Sequence, residues 1–293
     1  MLAGEFEARK ALVDEIVASG VNHLFLADHV SFKTGMGMDA IVNAATLLAM
    51  NPRLHVCIGV YLLALRHPLP VARQLATLNE SAPGRLIFGV GVGGEDRHEF
   101  EICGVDPATR GKRTNHSLAA LRSLMTGEKT SYRCEFFEFE DALIRPRVDP
   151  PIPFMVGGRS DAAIRRAAKY SEGWLAVWCS PRRFREATAQ VEEIALASGR
   201  VDVPWRHGLQ VWVGIDNDRD KAREILAREM YAFYRTPFEA FEKYSPYGTP
   251  EDVAEFLSTY VEAGAGLLNV KACASSDQAA ALGVAEVARL LRR

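Results

Sequence analysis

A chain of 293 residues, 48% hydrophobic and 25% charged with a formal net charge of −2, has an ordinary globular composition. Its acids and bases are interspersed, so no basic stripe marks a nucleic-acid surface and no like-charge block marks a tail. No run approaches the ~18 consecutive apolar residues of a membrane span.

In chain order, Glu5–Ser19 has helical apolar spacing (Phe6, Leu12, Val13, Ile16, Val17) and Gly20 stands at a C-cap position. Val21–Ala27 reads as a buried strand ending in Asp28-His29, Asp39–Met50 as a helix, and His55–Leu63 as the next strand, with Gly59 inside it. A helix over Pro68–Glu80 closes at the Pro83-Gly84 turn. The run Leu86–Val90 is then an apolar strand that ends among glycines at 89, 91, 93 and 94. A polar loop follows, then a helix over Lys112–Met125, a hairpin over Lys129–Phe139, and a strand over Ile152–Val156. The strand runs through Gly157-Gly158-Arg159-Ser160 into a helix over Asp161–Tyr170. Strands over Trp174–Trp178, Gly208–Ile215 and Leu267–Ala272 alternate with helices opening at Ser180-Pro181, Asp220, Thr249-Pro250 and Asp277.

This alternation predicts βαβ units, a parallel sheet and outer helices. The fold class is α/β, a (β/α)8 TIM barrel in which seven strands are counted and the first is missing or truncated. Length alone would suit two domains, but α/β barrels of about 250 residues fold as one, so a single domain over 1–293 is expected. Met1–Glu7 carry two acids and no apolar core, unlike a signal peptide. Five scattered cysteines without Cys-x-x-Cys spacing predict reduced thiols in the cytoplasm, with neither a zinc site nor a disulfide frame.

Functional groups in such a fold gather at the C-terminal ends of the strands. Asp28-His29 is the sharpest titratable pair there: the His suits general acid–base work, and a nearby carboxylate can fix its tautomer. An N-capping Asp beside a structural His explains the pair equally well. Gly157-Gly158-Arg159-Ser160 joins free amides at a helix N-terminus to a guanidinium, which suits a phosphate. A tight turn with Ser160 as N-cap is the alternative. Gly89-x-Gly91-x-x-Gly94 formally satisfies the dinucleotide fingerprint, but a charged loop (95–99) follows in place of an apolar helix. These glycines therefore predict a flat floor for a ligand. The aromatic segment Tyr231–Tyr247 is read as a lid or interface, with a satellite cluster on the barrel's outside as the alternative.

Residues 63–78 (LALRHPLPVARQLATL) and 84–93 (GRLIFGVGVG), with 153–158 (PFMVGG), 172–174 (EGW) and 248–253 (GTPEDV), resemble the luciferase-like monooxygenase superfamily. The likeness runs over nearly the whole chain in the expected order. It implies a TIM barrel using FMN or the deazaflavin coenzyme F420. It also implies a non-prolyl cis bond at Gly59–Val60 against the back of the ring, and a phosphate site at Gly157, Gly158, Arg159 and Ser160. Gly91, Gly93, Trp178 and Cys179 join the cofactor-binding set. Asp28-His29 resembles the pair of the F420-dependent branch, in which the acid contacts the ring and the His lies near the hydride path; Glu95 falls near an acid used for protonation in some members.

The function so implied is hydride transfer between F420 and a small organic substrate, with His29, Asp28 and Glu95 as catalytic residues and no metal. An FMN-dependent monooxygenase and a catalytically silent cofactor-binding barrel are the alternatives. The expected partners are a small molecule and a second copy in a homodimer, with no nucleic acid and no membrane.

Overall fold

The computed structural model describes residues 5–33, 35, 37–94 and 96–292. Its elements begin with α1 (Phe6–Ala18), β1 (His23–Leu26), α2 (Ala40–Met50), β2 (His55–Tyr61), α3 (Pro68–Ser81), β3 (Leu86–Val90), α4 (Arg97–Ile102) and α5 (Arg110–Leu124). They continue with β4 (Thr130–Arg133), β5 (Glu138–Ala142), β6 (Phe154–Gly157), α6 (Asp161–Tyr170), β7 (Gly173–Val177) and α7 (Pro181–Ala197). The last are β8 (Gly208–Ile215), α8 (Arg219–Tyr234), β9 (Tyr247–Gly248), α9 (Pro250–Glu262), β10 (Leu267–Cys273) and α10 (Asp277–Leu290). Every expected strand is present within a residue or two of its bounds. The described residues hold no strand ahead of α1.

Two compact units divide the chain. The larger comprises Phe25–Leu175 and Val191–Trp205. Its strands lie side by side in the order β1-β2-β3-β6-β7, with β2, β3, β6 and β7 parallel. Val56 stands opposite Leu86, Phe88 opposite Phe154, and Val156 opposite Trp174. β2, β3, β6 and β7 are buried and nearly continuous apolar runs, as parallel pairing requires; β1, expected to be buried, is only half-buried along its four residues. The rings of Tyr61, Phe88 and Phe154 step across three strands at centroid distances of 5.2 and 5.4 Å. Glu172 locks the entry to β6: it accepts from Phe154 N at 2.8 Å and pairs with Arg122 at 2.7 Å.

Helix starts follow local chemistry. Asp39 accepts from the amides of Ile41 and Val42 to cap α2, and Ser160 accepts from Ala163 N to cap α6. One expectation needs correcting. The charged stretch after the glycines is a loop only at its start, because Asp96 accepts from His98 N and opens α4. With six residues and a polar composition, α4 has little apolar periodicity to reveal it. The hairpin of β4 and β5 ends at Ala142, three residues beyond its expected bound.

The smaller unit holds Met1–Leu24, Ala176–Gln190 and Arg206–Arg293. There β10 pairs in parallel with β8 from Leu267↔Gly208 to Cys273↔Gly214, and the short β9 flanks β8. A capping box of Thr249 and Asp252, with Pro250 at N1, opens α9. The expected lid is more ordered than a loop. Tyr231–Tyr234 complete α8, two 3-10 turns follow at Phe238–Ala240 and Glu242–Tyr244, and β9 ends the segment. Arg223 pins those turns through Glu242 at 2.7 Å, and Tyr247 donates to the same carboxylate at 2.9 Å.

Candidate active site

Four neighbouring strands of the larger unit release their chains at the same, C-terminal edge, where parallel α/β sheets carry ligands. β1 leads to Asp28-His29, β2 carries Gly59-Val60, β3 leads to Gly91–Gly94, and β6 leads to Gly157–Ser160. The sequence-predicted groups of this unit, Glu95 aside, are therefore brought to one edge.

The Gly59–Val60 peptide is cis, and the β2–β3 register shifts between Ile58 and Tyr61. Three glycines make room for this segment. A Cβ on Gly89 would overlap the Ile58 carbonyl oxygen, and one on Gly91 would overlap Val60 Cγ2. At Gly157 a Cβ would stand 2.9 Å from Val60 Cγ1. The expected floor of bare glycine is thus occupied: the Val60 isopropyl group sits where side chains at 91 and 157 would be, and the Ile58 carbonyl where one at 89 would be. Gly93 is required for a different reason. Its φ is +63°, and a Cβ there would meet the Phe100 ring at 2.8 Å.

Asp28 is 1% exposed, and both of its oxygens are engaged. Arg66 clamps them in a bidentate pair at 2.5 and 3.0 Å, while Leu62 N and Ala40 N donate at 2.9 and 3.1 Å. Burial lifts the Asp28 carboxyl above its usual value; Arg66 and the two amides oppose the lift. Arg66 also lies over the Tyr61 ring at 4.5 Å and reaches Asp39 at 3.3 Å. Asp28 therefore ties β1, the start of α2 and the segment after β2 into one joint.

His29 does not take its carboxylate from Asp28, which corrects the expected pairing. Its Nδ1 lies 3.1 Å from Glu99 Oε2 on α4. The other Glu99 oxygen accepts from Val30 N at 2.6 Å and Ser31 N at 3.1 Å. Burial works to raise the Glu99 carboxyl, yet His29 and these amides outweigh it and hold the group below the ordinary carboxylate range. The Phe32 ring packs on the imidazole at 4.2 Å. Glu95 lies outside the described residues.

At β6, Gly158 has a φ of +124°. Its carbonyl accepts from Trp174 Nε1 at 2.7 Å, which fastens the turn to β7. Arg159, Ser160, Asp161 and Ala162 are exposed, and the first helical turn directs the amides of Asp161 and Ala162 away from any acceptor within α6. Ser160 is the N-cap, which bears out the capping reading.

Trp178 and Cys179 belong to the smaller unit. Trp178 adopts a left-handed φ of +46° just past β7, and its ring packs on Phe241 at 4.7 Å and Tyr234 at 5.1 Å. Cys179 is buried and its carbonyl accepts from Tyr260 Oη at 2.5 Å. No cluster of His, Cys, Asp and Glu suited to a metal occurs among the described residues, and no described helix is long and apolar enough to cross a membrane.

Sequence reasoning missed Arg66 and Glu99. Arg66 stands inside the family-like segment 63–78, and Asp96 followed by Glu99 three residues later is a helix-start pattern.

A model of the luciferase-like monooxygenase family matches residues 3–246. This chain belongs to that family. A protein of Mycobacterium tuberculosis described only as uncharacterised is 32% identical over 163 residues, 56% of each chain. The match thus spans little more than half of that relative's length. The F420-dependent glucose-6-phosphate dehydrogenase of Nakamurella multipartita is 25% identical over 285 residues, covering 86% of this chain and 84% of its own. A solved F420-dependent secondary alcohol dehydrogenase, in complex with an F420-acetone adduct, superposes with a TM-score of 0.86 at 17% identity, over 99% of this chain and 96% of the other. That likeness shows the fold: α/β, a luciferase-like TIM barrel.

Proposed function

We propose that this member of the family is an F420-dependent oxidoreductase that moves a hydride between the deazaflavin and a small organic substrate. The observation that supports it is the convergence of His29, the Val60 shelf and the Gly157–Ser160 turn on one edge of four consecutive strands. Val60, cradled by Gly89, Gly91 and Gly157, offers a compact apolar surface for the back of a flat ring, with Gly93 in the cofactor-binding set. The exposed amides at the start of α6, with Gly158 and Arg159, suit a phosphate. Bound there, the deazaflavin supplies a two-electron hydride carrier.

This chain's own contribution is positional and protonic. Asp28 and Arg66 hold the ends of β1 and β2 together, and His29 accepts or donates a proton at the substrate. Glu95 keeps the second proton-handling role that family likeness gives it. Five scattered cysteines without Cys-x-x-Cys spacing suit the cytoplasm, and a homodimer is carried over from the family likeness.

Titrating the protein with F420 tests the reading: saturable fluorescence quenching is expected. Arg159→Ala is expected to weaken F420 about tenfold, the cost of one charge-assisted hydrogen bond of ~1.5 kcal/mol. It should leave affinity for the phosphate-free deazaflavin chromophore unchanged. No quenching by F420, together with yellow colour on purification or FMN-dependent oxygen uptake, would turn the assignment to the flavin monooxygenases of the same family. Saturable binding without turnover on any substrate would leave the silent barrel.

A further inference from the structure

The buried carboxylate of Glu99 has a geometry that a mere tether for the 29–31 turn would not need. One oxygen is already committed to two amides, Val30 N and Ser31 N. The second is aimed at a ring nitrogen, His29 Nδ1, at 3.1 Å. Glu99 is 2% exposed, so no solvent competes for that oxygen. An ionised carboxylate only accepts hydrogen bonds. A neutral imidazole beside it must then carry its proton on Nδ1, which leaves Nε2 as the basic nitrogen. The ring is further restrained by Phe32 on its face and by the His29 N–H, which donates to Met38 O at 3.2 Å. Gly37 packs so closely on His29 that a Cβ there would lie 2.6 Å from its carbonyl oxygen.

We propose that Glu99 is the positioning residue for His29: it fixes the Nδ1–H tautomer and so presents Nε2 as the proton-accepting atom. The role of His29 rests on the oxidoreductase reading above; the tautomer assignment does not. Asp28 is clamped by Arg66, and Asp96 accepts from Lys33 N and His98 N. Cys103, next to α4, is kept in its thiol form by burial and by the Glu99 charge.

The test is nitrogen-15 NMR of the imidazoles at pH 8, with the His29 signals identified among seven histidines by their loss in His29→Gln. The expected wild-type pattern is a protonated Nδ1 and a bare Nε2. In Glu99→Gln the amide oxygen can still accept from Val30 N and Ser31 N, while its NH2 donates toward Nδ1. The tautomer is therefore expected to switch to Nε2–H. The same variant is expected to lose about 10²-fold in kcat, the usual range for a misplaced general base, with F420 affinity within about twofold.

A wild-type spectrum showing Nε2–H overturns the proposal without any variant, so misfolding of Glu99→Gln cannot shelter it. An Nδ1–H signal that persists in a folded Glu99→Gln overturns it as well. A tautomer switch in a protein that neither binds nor turns over F420 would uphold the positioning role and remove the oxidoreductase reading instead.

Discussion

Alanine at position 89 is expected to prevent the larger unit from folding, whereas alanine at position 91 should yield a destabilised but rescuable protein. The two glycines differ in what faces them. At Gly89 the new methyl would overlap the carbonyl oxygen of Ile58, a backbone atom of the neighbouring strand β2 that cannot move without breaking the ladder. At Gly91 it would overlap Val60 Cγ2, a side-chain atom. Overpacking of this kind costs roughly 1–3 kcal/mol, occasionally more, and the Gly91→Ala value should lie at or above the top of that range.

Val60→Ala removes the offending methyl, so Val60→Ala with Gly91→Ala should be little less stable than Val60→Ala alone. For contacting residues a coupling of about 0.5–3 kcal/mol is normal. Gly89→Ala should gain nothing from the same partner. Gly111, inside α5 with only the guanidinium end of Arg166 near its would-be Cβ, at 3.4 Å, is the control. Its replacement by alanine should be neutral or stabilising by up to ~1 kcal/mol. Urea unfolding followed by circular dichroism reads the wild type and every variant that folds, and the far-ultraviolet spectrum alone reads whether Gly89→Ala folds with or without Val60→Ala. Strict additivity of Val60→Ala and Gly91→Ala would mean that the cradle is looser than the contacts indicate.

These glycines also show where the sequence is readable and where it is not. A glycine inside an apolar strand announces close approach from its own identity, because no other residue lacks a Cβ. That is why the edge of β3 and the β6 turn stand out from their residues alone. The seven strands are legible for a related reason: buried parallel strands are continuous apolar runs, and the helices between them carry caps such as Asp39, Ser160 and Thr249. Ion pairs leave no such mark. Asp28 and Arg66 are 38 positions apart, His29 and Glu99 are 70 apart, and nothing local to either residue names its partner. Reading Asp28 and His29 as a unit follows from their adjacency. Successive residues leaving a strand point to opposite faces, so adjacency argues against a shared hydrogen bond. Glu99 is hidden further by its element, since only Arg97 and His98 precede it in the six-residue α4 and neither begins an apolar stripe.

Loss of Arg66 is the substitution expected to cost the most among the side-chain changes at this edge. Arg66→Met removes the guanidinium but keeps much of the apolar stem over Tyr61. What remains is Asp28, its side chain fully buried, with two amide donors and no cation. Breaking a buried pair by deleting one partner typically costs about 3–5 kcal/mol, because an uncompensated charge is left behind. Asp28→Asn should cost less, since its amide oxygen still accepts from Leu62 N or Ala40 N while its NH2 faces Arg66. The double variant should fall well short of the sum.

The pH dependence separates this account from a simple loss of packing. Burial already lifts the folded-state Asp28 carboxyl, and Arg66 is the principal group acting against the lift; without Arg66 the folded value rises further above the unfolded one. A raised carboxyl binds more protons folded than unfolded between those two values, so stability falls as pH rises through that window. The deficit of Arg66→Met is therefore expected to be largest at pH 7 and to shrink on acidification toward the unfolded value of ~3.9. Glu99 works in the opposite sense: its depressed carboxyl contributes stability above the unfolded value, which is lost as pH falls through the folded one. The comparison must be made as variant minus wild type, so that Glu99 cancels. A deficit that is flat from pH 7 to 5, or below ~1 kcal/mol throughout, would show that Arg66 serves packing over Tyr61 and does not compensate the Asp28 charge.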